Sequence, residues 1–142
     1  MNKYCVHLSA LCVVHGVRLL IDVTMPREHC YCETSSRVVV TPPVDEETQY
    51  AAVLHEFGHL CHTNPRPSSL QSHPRTIQEM RILLEEEDHA WDWARQHAGS
   101  EWTTGMEMVY QWARETYRKR LERMVKNSLG GSRAALSVKG WR

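Results

Sequence analysis

No stretch of this sequence is apolar for long enough to cross a membrane. The most apolar N-terminal stretch, YCVHLSALCVVHGVRLLI, is interrupted by His7, His15 and Arg18 and carries no small-residue cleavage site, so it reads as neither a span nor a signal peptide. Net charge is missing as well. Lys plus Arg and Asp plus Glu are both 17, so no overall field draws the chain to nucleic acid or an anionic surface, and any charged partner must be recognised locally. The cysteine count is not even: Cys5, Cys12, Cys30, Cys32 and Cys61 make five, in a 142-residue chain large enough to bury a core without staples. That argues for reduced thiols inside a cell, and the expected location is cytoplasmic. There is no internal repeat and no separate helix-turn-helix segment, so one domain over 1–129 is expected, with Gly130 and Gly131 releasing a C-terminal tail, 130–142.

What is present is a sequence of short, differently patterned segments. Tyr4, Leu8, Leu11, Cys12 and His15 recur at helical spacing, and Gly16 can end that first helix. VRLLIDV, EHCYCET and SRVVVT are rich in β-branched residues or bounded by breakers, which predicts three short strands in a small, mainly antiparallel sheet. Pro42 and Pro43 stop the third strand, and the acids from Asp45 onward suit the start of a second helix. TNPRPSSLQSHPR cannot continue that helix and predicts a long loop over 63–75. A third helix is expected from about Thr76 to Ala98 and a fourth from Met106 to about Asn127. The expected class is α+β: a three-stranded sheet packed by an N-terminal helix and a second helix, followed by two more.

The second helix contains HEFGH, residues 55–59. At about 100° per residue, His55 and His59 share one face a turn apart, close enough for two imidazoles to hold one zinc ion, with Glu56 beside them. Tyr50, Val53, Leu54, Phe57 and Cys61 fall on the opposite face, where they would pack on the sheet. Gly58 costs a helix about 1 kcal/mol relative to alanine, which invites a reason such as close backbone packing. A catalytic zinc takes three protein ligands. In the third helix Glu87 falls within an apolar stripe, Ile77, Met80, Leu84, Ala90, Trp91, Ala94 and Ala98, and a carboxylate there needs a partner. A metal satisfies it, as would an arginine. Glu85, Glu86, Asp88 and Asp92 point to the flanks and read as surface acids.

HEFGH followed by EDHAWDWA at 87–94 resembles the HExxH…ExxA pattern of gluzincin metallopeptidases, and the layout is similar to that of the small ImmA/IrrE-type peptidases. The resemblance implies a minimal zincin-like fold and a metalloendopeptidase. It implies one Zn2+ per chain on His55, His59 and Glu87, with Glu56 as the catalytic base that activates the zinc's water. It also implies a protein or peptide substrate, a transcriptional repressor among the candidates, and pairing of an extended substrate with the strand before the active-site helix, Arg37 to Thr41. A second reading keeps the zinc but makes the protein a non-catalytic interaction module, such as an antirepressor.

The remaining candidates carry blander readings. His62, His73 and Tyr110 are possible oxyanion donors, each more often a surface histidine or core tyrosine. Cys30 and Cys32 alternate with His29 on a strand, so HCYC reads as structural thiols rather than a second metal site. The fourth helix has an apolar stripe and a basic remainder, but Glu115 and Glu122 dilute the charge, so direct nucleic-acid binding is not expected.

Overall fold

The computed structural model describes residues 2–62, 74–99 and 102–133. In chain order the elements are α1 (Lys3–His15), β1 (Arg18–Ile21), β2 (Tyr31–Glu33), β3 (Val38–Thr41), α2 (Glu47–Leu60), α3 (Ile77–His97) and α4 (Thr104–Arg133). This is the expected α+β layout of four helices and a small sheet. The expected loop at 63–75 falls almost wholly outside the described residues, as do His73 and the tail from 134 onward.

Local chemistry sets the helix ends. Asn2 caps α1 by accepting from the Cys5 N–H at 2.9 Å, and Gly16 ends it in the left-handed region, φ 64°. Thr76 and Glu79 form a reciprocal capping box that starts α3. The role of Arg37 is less legible in sequence. Its guanidinium donates to the carbonyls of His15, Gly16 and Leu60, so one side chain satisfies the C-terminal ends of both α1 and α2. The sequence pattern ends the fourth helix near Asn127, but α4 continues through Gly130 to Arg133, a length of about 45 Å at 1.5 Å per residue. Two glycines in a row lower helix propensity without forbidding the conformation.

The sheet order is β1-β3-β2. β2 pairs antiparallel with β3, but β1 pairs parallel with it, so the sheet is mixed rather than mainly antiparallel. Alternating pattern marks a strand without naming its neighbour. Here Arg37, at φ 54°, turns β2 directly back into β3, and β1 joins the far side of β3. β3 is therefore the central strand, which explains its uninterrupted Val38, Val39, Val40. It also corrects the expected substrate strand: both edges of β3 are occupied, and an extended peptide cannot pair with it. Leu19, Val39 and Cys32 share one row facing the helices, with Val39 fully buried.

α2 is the centre of the core. Tyr50, Val53, Leu54 and Phe57 lie on its sheet-facing side and are buried as their spacing implied; each is worth about 1.5–3 kcal/mol of transfer free energy. Met80, Leu83, Ala90 and Ala94 of α3 and Met106 and Tyr110 of α4 close the core from the other side. Among the described residues no helix is long and apolar enough to cross a membrane, and none of the five cysteines is in a disulfide.

Candidate metal centre

The site depends on how closely α2 and α3 approach. A Cβ placed on Gly58 would stand 2.8 Å from the Ala90 Cα and nearer still to the Ala90 carbonyl oxygen. Only glycine lets the two backbones meet there. Ala90 lies one turn after Glu87, and Gly58 sits between His55 and His59, so this contact sets the carboxylate of α3 against both imidazoles of α2. The reason for a glycine in mid-helix, inferred from its cost, is thus a close backbone approach.

Three donor atoms converge as a result. His55 Nε2 lies 2.5 Å from Glu87 Oε2, His59 Nε2 lies 3.0 Å from the same oxygen, and the two Nε2 atoms are 3.1 Å apart. Donors around a tetrahedral zinc, about 2.0–2.2 Å from the ion, stand about 3.3 Å from one another. The observed triangle is somewhat tighter, and its two imidazoles and one carboxylate form a donor set that a divalent transition metal accepts. His55, His59 and Glu87 could hold a metal ion, and they are the only such group among the described residues.

Neighbours hold the donors in this orientation. Trp91 stacks on His55 with ring centroids 4.3 Å apart and planes 17° from parallel, and its buried Nε1 has no hydrogen-bond partner among the described residues. Glu56, partly buried beside the triangle, faces His55 Nδ1 at 3.3 Å. Glu86 faces His59 Nδ1 at 3.6 Å and His62 Nε2 at 3.3 Å. A carboxylate on the far ring nitrogen favours the tautomer whose Nε2 is free to bind a metal. The expectation that Glu86 is a surface acid is therefore wrong: it is 7% exposed. A single-stripe view of α3 misses it, because α3 packs against α2 with a face wide enough to bury two adjacent carboxylates. His62 lies against Glu86 and edge-on to His89, and Tyr110 is buried against Trp91 and Arg95. Cys30 is driven up to about 12 by burial first and by the Glu56 charge second, as befits a structural thiol.

The electrostatics of the triangle follow from its closeness. Burial by itself would lower the His55 and His59 imidazoles, but the carboxylates around them outweigh it: Glu56 and Glu87 raise His55, and Glu86 and Glu87 take His59 up to about 10. Burial would raise Glu87, yet hydrogen bonds from the two histidines hold it well below the usual carboxylate range. In EDTA-treated protein this has a definite sign. Glu87, depressed from 4.5, contributes stability that is present above that pH and is lost as the pH falls through its folded value. His59, raised from 6.5 to about 10, contributes stability that is complete below pH 6.5 and is lost as the pH rises to about 10. Calorimetry in EDTA will show the thermal midpoint highest between about pH 4.5 and 6.5 and declining towards pH 10, and His59→Ala will flatten the alkaline decline.

Compared with protein-family models, with curated proteins and with solved structures, the chain finds no match.

Proposed function

We propose that this protein is a zinc-dependent metallopeptidase of gluzincin type acting on a protein or peptide substrate. The observation that supports it most is the convergence of His55 Nε2, His59 Nε2 and Glu87 Oε2 from two helices, with a further acidic side chain, Glu56, next to the ligand histidine. Glu56 is not needed to complete the donor set. A partly buried carboxylate next to a candidate ligand histidine supports an acid–base role.

His55, His59 and Glu87 would hold the ion. When bound, zinc supplies the Lewis acidity that polarises a scissile carbonyl and makes a water nucleophilic near neutral pH. The chain's own part is acid–base and positional. Glu56 takes the proton of the attacking water and delivers it to the leaving amine nitrogen, so that the amide breaks to a carboxylate and an amine. Its carboxylate lies 3.3 Å from His55 Nδ1, next to one of the three donors. Trp91 and Glu86 keep the two imidazoles from turning away.

Metal analysis of purified protein tests this reading. About one zinc per chain is expected in the wild type. His59→Ala and Glu87→Ala will lose it, and Glu86→Ala will bind it roughly 10- to 100-fold more weakly, the usual effect of removing an orienting partner. A wild type that takes up no zinc on reconstitution would sink the proposal.

A further inference from the structure

The triangle fixes where a bond could break but not which residue is presented. A cleft of about 550 Å3, lined by none of the three triangle residues, includes Ala52, one turn before His55 and Glu56 on α2. It is lined by residues 27–30, by Thr48, Gln49 and Ala52 of α2 and by Val109 and Trp112 of α4. Thr48, Ala52 and Glu56 are spaced four apart and occupy successive turns of one face of α2. Glu56 therefore lies one turn beyond Ala52 on the face of α2 that lines the cleft. Cys30, which lines the cleft, is close enough to Glu56 for its thiol to respond to that charge.

The chemistry of the walls selects the occupant. Trp112 is 71% exposed although it is the largest apolar side chain in the cleft. Covering such a ring is worth about 25 cal/mol per Å2 of apolar surface removed from water. Arg27 offers no open positive charge to an acidic group, because it is paired with Asp45, at 3.0 Å, and with Glu46. Glu28 and Glu46 line the same cleft and repel an anion. The volume lies within the range of about 300–1,000 Å3 typical of ligand pockets, enough for a large side chain and its flanking backbone. The lining segment 27–30 runs into β2, whose outer edge is not paired with any described strand, so the backbone there is compatible with an extended guest.

We propose that this cleft seats an aromatic or large aliphatic side chain of an extended peptide substrate, with Trp112 as the specificity-determining residue. The assignment as a substrate subsite rests on the peptidase reading; the binding itself is testable without turnover.

The probe is a set of blocked pentapeptides, Ac-Gly-Gly-X-Gly-Gly-NH2, with X as Phe, Leu, Lys, Glu or Gly, titrated into zinc-loaded Glu56→Gln protein. Calorimetry gives affinity, and the indole N–H resonance of Trp112 reports contact. The peptides with Phe and Leu will bind roughly tenfold or more tightly than those with Lys, Glu or Gly and will shift that resonance. Trp112→Ala will remove the preference, and Trp112→Phe will retain most of it. Equal binding of all five peptides would overturn the inference, as would a preference that survives Trp112→Ala. Should the preference appear while the wild type cleaves no peptide, the cleft stands as a binding site and the peptidase reading falls.

Discussion

Glu56→Gln will keep its zinc and lose hydrolysis of a peptide or protein substrate by roughly 10²- to 10⁴-fold, the range that a positioned acid–base group contributes. The substitution is nearly isosteric, so the edge of the site keeps its shape and Trp91 keeps its stack on His55. What changes is the capacity to accept a proton. Glu56 lies outside the triangle of His55, His59 and Glu87, and a glutamine oxygen can still accept from His55 Nδ1–H, so metal content should match the wild type, which separates this variant from the ligand variants. Two measurements on one preparation decide the matter: zinc per chain, and the rate of cleavage of an unfolded protein. Loss of cleavage with full zinc is the expected result. Unchanged cleavage would remove Glu56 from the chemistry. Should the wild type hold zinc and cleave nothing, while its biological action survives Glu56→Gln, the interaction-module reading would take its place.

Gly58→Ala is expected to lower stability and metal affinity together, although alanine is the better helix former. Propensity alone favours the variant by about 1 kcal/mol. Against that stands the new Cβ, 2.8 Å from the Ala90 Cα and closer still to its carbonyl oxygen. Both are backbone atoms in α3, so no side chain can swing aside and the helices must part. Overpacking of this kind costs about 1–3 kcal/mol, sometimes more. Parting the helices also draws Glu87 Oε2 away from the two Nε2 atoms it now approaches at 2.5 and 3.0 Å. The thermal midpoint should fall by several degrees, and zinc affinity by roughly tenfold or more. A control at Gly130 on α4, where an added Cβ meets nothing within 4 Å, should be neutral or stabilising when changed to alanine. A Gly58→Ala protein as stable as the wild type would show that α2 and α3 are not held together by this contact.

Much of the site is legible in the sequence because it is local. HEFGH places two imidazoles and a carboxylate on one helical turn whatever surrounds them, and Glu87 stands out because an isolated acid in an apolar stripe needs a partner. Glu86 is illegible for the opposite reason. In sequence it is one of four consecutive acidic residues, and whether the second of them is wet or buried depends on the width of the face that α3 presents to α2. Trp91 belongs to the core, as its place in the stripe implies, but its stack on His55 exists only because the two helices cross at Gly58 and Ala90.

The sequence by itself determined the helical and extended segments, the cap at Gly16, the donor residues and their chemistry, since these follow from spacing, turn stereochemistry and side-chain type within a few residues. The tertiary structure alone decided the strand order, the central place of β3, the burial of Glu86 and the cleft under Trp112. Each depends on contacts between residues far apart in the chain, and a local pattern states which face is apolar without stating what that face will meet.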